Sequence, residues 1–446
     1  MEAIDIMNTT LPQSAGPRST SLNESAAVPG TPLRWIAPLF IPCLIACSQP
    51  ALSKTIYVDD YLPACNGPIN DDTPCIQAAV NDAERGDTIF FSARTYYILP
   101  GHYLEDQRYG VIFKSGLSFQ GSGKGKTIIT TLNDLERRTG IRETWYFNAP
   151  DGARDVSFSS MTFLMKGRTN PVGKQPTNNP AIAAAKQSSN FTIRDIEFRN
   201  NPGNQTIFLN YDNSLGTSYS ISDCDFINMG YGVPGNDNNV DHSSIYISGH
   251  NAYISRNHFY NSRTGNITAI EVHGSNATIE NNTQLRGGSF TILASTHSDA
   301  SASILNNIAI ETYGIILWPS SPKHAIDGVT IYGNHLKNCY VRSCVYARPA
   351  DRVPELHIIS NLTITTNIFR GKSSILNPIT GVMIGTRTRN TLITNNTFIG
   401  DGRFGIDFNP PTTQQSPNGE IPNIYGNTFE DMEGEKHRTP HINTGR

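Results

Sequence analysis

One short arrangement of apolar and polar positions keeps returning along this chain: Ile, two residues, Asn, one residue, then Phe or Leu. It runs Ile254-Ser-Arg-Asn257-His-Phe259, Ile331-Tyr-Gly-Asn334-His-Leu336, Ile364-Thr-Thr-Asn367-Ile-Phe369, Ile393-Thr-Asn-Asn396-Thr-Phe398 and Ile424-Tyr-Gly-Asn427-Thr-Phe429. Shorter copies sit at Ile279…Asn282 and Ile304…Asn307, and upstream Ile193…Phe198 and Ile221…Phe226 place Ile196 and Cys224 where Asn would stand. Successive Asn positions lie 25, 25, 27, 33, 29 and 31 residues apart. A period in this range predicts one stacked-coil solenoid in place of the two or three domains that the length alone suggests.

The spacing also predicts local geometry. Residues i+3 and i+5 share a face of an extended chain, whereas i and i+3 do not, so the backbone must turn between Ile and Asn. Asn tolerates left-handed turns and carries a donor and an acceptor on one amide, so stacked copies can bond along the solenoid axis. Each repeat holds a second, β-rich phrase: Thr206–Asn210, Ser244–Ser248, Ala269–His273, Phe290–Leu293, Gly314–Trp318, Cys344–Arg348, Gly381–Gly385 and Gly405–Asn409.

With these two phrases the chain, from about Thr55 to Phe429, resembles the pectin lyase-like right-handed parallel β-helix superfamily. The resemblance implies an all-β, single-stranded parallel solenoid and a carbohydrate-active protein. A helix is expected over residues 74–84, with Thr73 as N-cap, Pro74 in the first turn, an apolar stripe of Ile76, Ala79, Val80 and Ala83, and Gly86 as the stop. It would cover the open end of the first coil, as the superfamily's usual entry to the β-helix does.

Composition adds limits. The 446 residues are 37% hydrophobic and only 16% charged, with a formal net charge of -3, which gives no electrostatic case for nucleic acid. Residues 1–33 lack apolar periodicity and read as a disordered extension, and 431–446 as a disordered tail. The apolar run Trp35–Cys47 is short and holds two prolines, so residues 34–53 read as a signal peptide or lipoprotein signal. Cleavage is expected after Ser53, or before Cys47 with a lipid anchor there, in an exported, secreted or cell-envelope protein. Cys65/Cys75 and Cys339/Cys344 are spaced for two local bridges, whereas Cys224 reads as a small core residue.

Two apparent motifs carry no chemistry. Gly121-Ser-Gly-Lys-Gly-Lys-Thr127 has Gln120 where a phosphate-binding loop needs Gly, and a β-branched run follows it where that motif opens a helix. The loop Asn236–Asp241 has calcium-binding residue types without EF-hand spacing and reads as an exposed loop. Calcium is the one cofactor the residues suggest, and no metal ligands are assigned.

Chemistry on a solenoid must come from side chains pointing out of a strand column. With Ile270 and Val272 inward, Glu271 and His273 face outward; Tyr246 and Ser248 precede them by one coil, and Thr291 and Leu293 follow by one. Then come Ile316 and Trp318, Tyr346 and Arg348, Met383 and Gly385, and Asp407 and Asn409. At about 4.8 Å per strand, Tyr246 to Arg348 spans roughly 19 Å, the length of a short oligosaccharide. Tyr246, Glu271, His273 and Arg348 are the catalytic candidates; Trp318, Tyr346, His297, Arg387 and Asp407 are the substrate-binding ones. Arg263 and Arg286 are alternative cations, and Asp212, Asp241 and Asp299 alternative acids. Elimination or C5 epimerisation needs a base beside a uronate carboxylate and a cation for that carboxylate, which this set supplies. The Asn-Thr-Asp and Gly-His-Gly phrases of polygalacturonase-like hydrolases, the Asp-Pro-His-Glu phrase of alginate epimerases and the Trp-Ile-Asp-His phrase of pectate lyases are absent. The expected function is a lyase or epimerase on an acidic polysaccharide, with a glycan-binding β-helix adhesin or a glycoside hydrolase as alternatives.

Overall fold

The turn required between Ile and Asn is made by the residue just before the Asn. In the computed structural model of the chain, Arg256, Asn281, Asn306, Thr366 and Asn395 have φ between 53° and 60°, and Gly333 and Gly426 have φ of 68° and 66°. The repeating Asn then points inward instead of taking the left-handed conformation itself. Asn257, Asn282, Asn307, Asn334, Asn367 and Asn396 are at most 1% exposed. Each Nδ2 donates to the Oδ1 of the next, from Asn257 to Asn282 at 3.0 Å through to Asn396 and Asn427 at 3.0 Å. The same Oδ1 also accepts the preceding Asn backbone N–H, and each Nδ2 donates again to the carbonyl of an Ile in the preceding coil. A buried amide without partners would destabilise the fold, so the ladder exists because its bonds are complete. Cys224 closes its upstream end, donating its backbone N–H to Asn257 Oδ1 at 3.0 Å while its thiol stays buried and unbridged.

The structure describes residues 53–62, 71–100, 109–131, 144–166, 178–230, 242–262, 265–339, 343–347, 358–371, 379–385, 388–400, 404–408, 422–430 and 442–443. All of them belong to one unit, Leu52–Arg446. Every strand pairing among them is parallel and runs from one coil to the next, as in Ile267–His273 on His242–Ser255 and Ser289–Ala294 on Ile267–His273. A representative coil holds Ile267–His273, then Ala277–Glu280, then the left-handed Asn281, the ladder Asn282 and Thr283–Leu285. The chain is thus a parallel β-helix, the architecture expected from the repeat. Its core is apolar columns in register: Ile221, Ile254, Ile279, Ile304, Ile331, Ile364 and Ile393 are all fully buried. Phe163, Phe198, Phe226 and Phe259 stack face to face at 4.7–5.4 Å between ring centroids.

The first coil is covered by a helix, Thr73–Asp82, against an expected 74–84. Thr73 opens it without capping it. Its hydroxyl accepts from the Leu99 N–H at 2.8 Å and donates to the Leu99 carbonyl at 3.2 Å, tying the helix to the sheet. Ala83 is already extended, so the helix stops before Gly86, whose φ of 98° serves the turn that follows. Lys124, in the loop that mimics a phosphate site, bonds Asp225 at 2.8 Å, and the loop joins the strands Ser118–Gly121 and Ile128–Thr130. Cys339 and Cys344 form a disulfide. Cys75 is disulfide-bonded as well, and Cys65, its expected partner, lies outside the described residues. So do the N-terminal extension, the run Trp35–Cys47 with its cleavage sites, and the loop Asn236–Asp241. Ile442–Asn443, in the tail expected to be disordered, adds a strand beside Phe404–Phe408. Among the described residues no helix is long and apolar enough to cross a membrane.

Candidate functional site

The outward column of one sheet carries the chemistry. Parallel register places Tyr246 beside Glu271 and Ser248 beside His273, because strands His242–Ser255 and Ile267–His273 pair without a shift. Just past His273 the two backbones close up. A Cβ on Gly274 would sit 1.9 Å from the Gly249 carbonyl oxygen, so only glycine lets the coils stack there. The next coil departs from strict alternation. Phe290 and Thr291 are both buried where the pairing to Gly314–Trp318 shifts, so Ile292 takes the outward place beside Glu271 and Leu293 points inward. Thr291 and Leu293, expected outside, are core residues because of that bulge.

His273 was expected on a solvent face and is instead 6% exposed, with the Glu271 side chain at 16%. His273 Nε2 lies 2.8 Å from Glu271 Oε1, and Nδ1 lies 2.8 Å from Thr296 Oγ1. A carboxylate only accepts, so Nε2 carries a proton toward Glu271, and in the neutral ring Nδ1 is left as an acceptor. Thr296 has a second partner, Ser320 Oγ at 2.6 Å. The other Glu271 oxygen accepts a hydrogen bond from the Ser243 hydroxyl. Burial works against ionising Glu271, but the His273 bond and charge and the Ser243 hydroxyl outweigh it, and the carboxyl lies below its ordinary range.

Tyr246 covers the imidazole, with ring centroids 4.8 Å apart at 33°. Among the described residues its hydroxyl makes no hydrogen bond, and burial together with the Glu271 charge holds the phenol above its ordinary value, protonated. On the other side His297 lies 6.0 Å from His273 and is half-buried. Burial first, then the His273 and His324 rings, push its imidazole below the usual value. Away from His273 the rings continue: Phe208 stands 5.1 Å from Tyr246, Tyr211 is 5.6 Å from Phe208, Trp145 is 5.0 Å from Tyr211, and Tyr109 is 5.5 Å from Trp145. Aromatic faces of this kind suit sugar rings.

The remaining candidates divide. Trp318 and Tyr346 are half-buried on the same face, with Ile316 paired to Tyr346. Asp407 occupies its predicted column but is only 3% exposed, between Met383 and Asn443, and so is a buried group rather than an open contact. Ser248, expected outward, is fully buried. Arg286 is paired with Glu311 at 2.9 Å on a strand turn away from this sheet, which removes it as the site cation. Asp212 is held by the Lys186 and Ser214 backbone, and Asp299 by the Ala325 N–H at 2.8 Å. His242 is fully buried against the Gly203 carbonyl at 2.5 Å, and burial drives its imidazole down to about 4, so it is structural. Arg348, Arg387, Arg263 and Asp241 lie outside the described residues. Among the described residues no group of three or more His, Cys, Asp or Glu is placed to hold a metal ion.

Residues missed by the sequence reading include Ser243, Thr296, Ser320, Phe208 and Tyr211. Phe208 was within reach, since it precedes Tyr246 by one coil in the same column. Thr296 and Ser320 follow their strands in irregular chain, where no periodicity predicts direction.

Comparison with known proteins agrees with this architecture. The A-module of mannuronan C-5 epimerase AlgE4 from Azotobacter vinelandii is 14% identical with a TM-score of 0.54, over 86% of this chain and 98% of that one. A tailspike mutant of E. coli bacteriophage HK620, in complex with a pentasaccharide, is 16% identical with a TM-score of 0.63, over 88% of this chain and 67% of that one. At such identity the likeness is one of fold. No curated protein sequence matches the chain. Residues 56–288, just over half of the sequence, match the family described as rhamnogalacturonase A/epimerase, pectate lyase-like. With its parallel coils, its Asn ladder and that match, the chain belongs to this family of right-handed parallel β-helix proteins.

Proposed function

We propose that this protein is a carbohydrate-active enzyme that moves the proton beside a uronate carboxylate, as a polysaccharide lyase or a C5 epimerase. The observation that carries the reading is Tyr246 lying over His273, a protonated phenol, without a hydrogen-bond partner among the described residues, above an imidazole oriented by Glu271. Both reactions need one base and one acid close together. Glu271 holds the Nε2 proton of His273, so Nδ1 is the basic atom. A rotation of Thr296 about its Cα–Cβ bond moves its hydroxyl, now 2.8 Å from Nδ1, aside and opens that nitrogen to the substrate C–H. Tyr246 then returns a proton, to the leaving glycosidic oxygen in elimination or to the sugar carbon in epimerisation. The family description and the epimerase and oligosaccharide-bound tailspike folds support a glycan as the partner.

A two-carboxylate hydrolase fits less well. Its acids stand roughly 5–9 Å apart, whereas Asp407, the other acid of the column, is five strands from Glu271, or about 24 Å at the usual spacing. To test the reading, the purified protein is incubated with polyuronates in heavy water. Lyase action yields the ultraviolet absorbance of unsaturated ends, and epimerase action yields deuterium at C5. Neither signal on any polyuronate, with glycan binding retained, would favour the alternative of a non-catalytic glycan-binding scaffold.

His297 supplies a pH dependence. An imidazole with a lowered pKa is neutral at pH 7 and takes up its proton only as the pH falls. An anionic glycan favours the protonated form, while Glu271 stays ionised because its pKa is lowered too. Affinity for a polyuronate should therefore rise about three- to tenfold between pH 7 and pH 5. His297→Gln should flatten that profile in calorimetric titrations; equal affinity of the wild type at both pH values would remove His297 from the binding site.

A further inference from the structure

Glu271, His273 and Thr296 are joined in the order carboxylate, imidazole, hydroxyl, with 2.8 Å at each link to the ring. That is the arrangement of an activated nucleophile: a hydroxyl on a base, and the base oriented by a third group. Proton transfer at a sugar carbon does not require a hydroxyl there. We infer that the protein carries a second activity, hydrolysis of acyl esters borne by its glycan, with Thr296 as nucleophile. The inference shares His273 with the lyase or epimerase reading but does not depend on it.

Three features argue for a reactive Thr296. The Nε2 proton is committed to Glu271, so the ring tautomer already presents a lone pair on Nδ1 to the hydroxyl. Thr296 and Ser320 are half-buried, whereas His273 behind them is nearly enclosed, so the nucleophile is the solvent-side member of the set. Ser320 Oγ, 2.6 Å from Thr296 Oγ1, can donate its proton to a carbonyl oxygen that becomes charged when its carbon bonds to Thr296.

The steps balance with water as the only co-reactant. Thr296 Oγ1 attacks the ester carbonyl carbon and its proton passes to His273 Nδ1. The tetrahedral adduct collapses, the bond from acyl carbon to sugar oxygen breaks, and the sugar hydroxyl leaves with the proton from Nδ1. Water then adds to the acyl-threonine, again giving a proton to Nδ1, and the carboxylic acid is released as Thr296 recovers its proton. No oxidation state changes.

The test uses the full chain with 4-nitrophenyl acetate and with chemically O-acetylated polygalacturonate, following acetate release. Wild-type protein should release acetate from both. Thr296→Val, which keeps the shape and loses the hydroxyl, should reduce release at least about 100-fold, while Thr296→Ser should retain a measurable rate. Peptide mapping after a rapid acid quench should find the acetyl group on Thr296. No acetate release by the wild type, or release unchanged in a folded Thr296→Val, overturns the inference. If the valine variant does not fold, the peptide map of the wild type decides the matter: an acetyl group trapped on another residue, or on none, overturns the inference. Unsaturated ends and C5 deuterium are read separately on ester-free polymer, so acetate release without them would support this activity while overturning the lyase or epimerase reading, and the converse would do the opposite.

Discussion

Replacing His273 with glutamine should leave a folded protein whose turnover on its glycan falls about 10²–10⁴-fold. Glutamine retains a donor for Glu271 and an acceptor for Thr296, the two partners that His273 now bonds at 2.8 Å, but it cannot take up a proton in the working pH range. Alanine is a less clean probe. His273 is only 6% exposed, so its removal uncovers a partly buried carboxylate and a hydroxyl at once, and His273→Ala should also cost about 1–3 kcal/mol of stability. A side chain on an open face would have shown no such cost. The pair of variants, compared by turnover and by urea denaturation, therefore separates chemistry from packing. Wild-type turnover in His273→Gln would dismiss the imidazole as the base.

The second large effect is on stability. Asn307 Oδ1 accepts the backbone N–H of Asn282 at 2.9 Å and its Nδ2 at 3.1 Å, while Asn307 Nδ2 donates to the Ile279 carbonyl and to Asn334 Oδ1, both at 2.9 Å. Leucine would fill the space and satisfy none of these. Two donors of Asn282 would be stranded in the core, each at about 1–3 kcal/mol, so Asn307→Leu should destabilise the protein by roughly 2–6 kcal/mol. Asn427 accepts the same two donors from Asn396, but it is half-buried and among the described residues donates to no further rung, so the stranded groups lie nearer to water and the same change there should cost less. Equal losses at both positions in urea titrations would mean that burial of the stranded donors does not set the cost.

Much of this was legible in the residue pattern because the structure repeats. The ladder Asn residues share one neighbourhood in successive coils, so the spacing of identical side chains reported both the coil and the inward direction of the amide. Alternation along Ala269–His273 likewise placed Glu271 and His273 on the outer side of their strand, next to Tyr246. The pattern failed where the period broke. One extra residue at Phe290–Thr291 inverted the expected phase, and Thr291 and Leu293 went inward.

The sequence by itself determined the solenoid, its Asn rungs, its apolar columns and the acid, imidazole and phenol that share one face. Each of these depends on local direction and on a period of about one coil, and both are written in the order of residues. Only the tertiary structure decided what those groups experience. The Tyr246 ring comes from the coil before His273, and Thr296, His297 and Ser320 come from segments after it. Their convergence turns an outward histidine into an enclosed one, fixes which nitrogen bears the proton, and lowers the pKa of Glu271 and His297. Burial and hydrogen-bond partners are long-range properties, and no spacing within one strand encodes them.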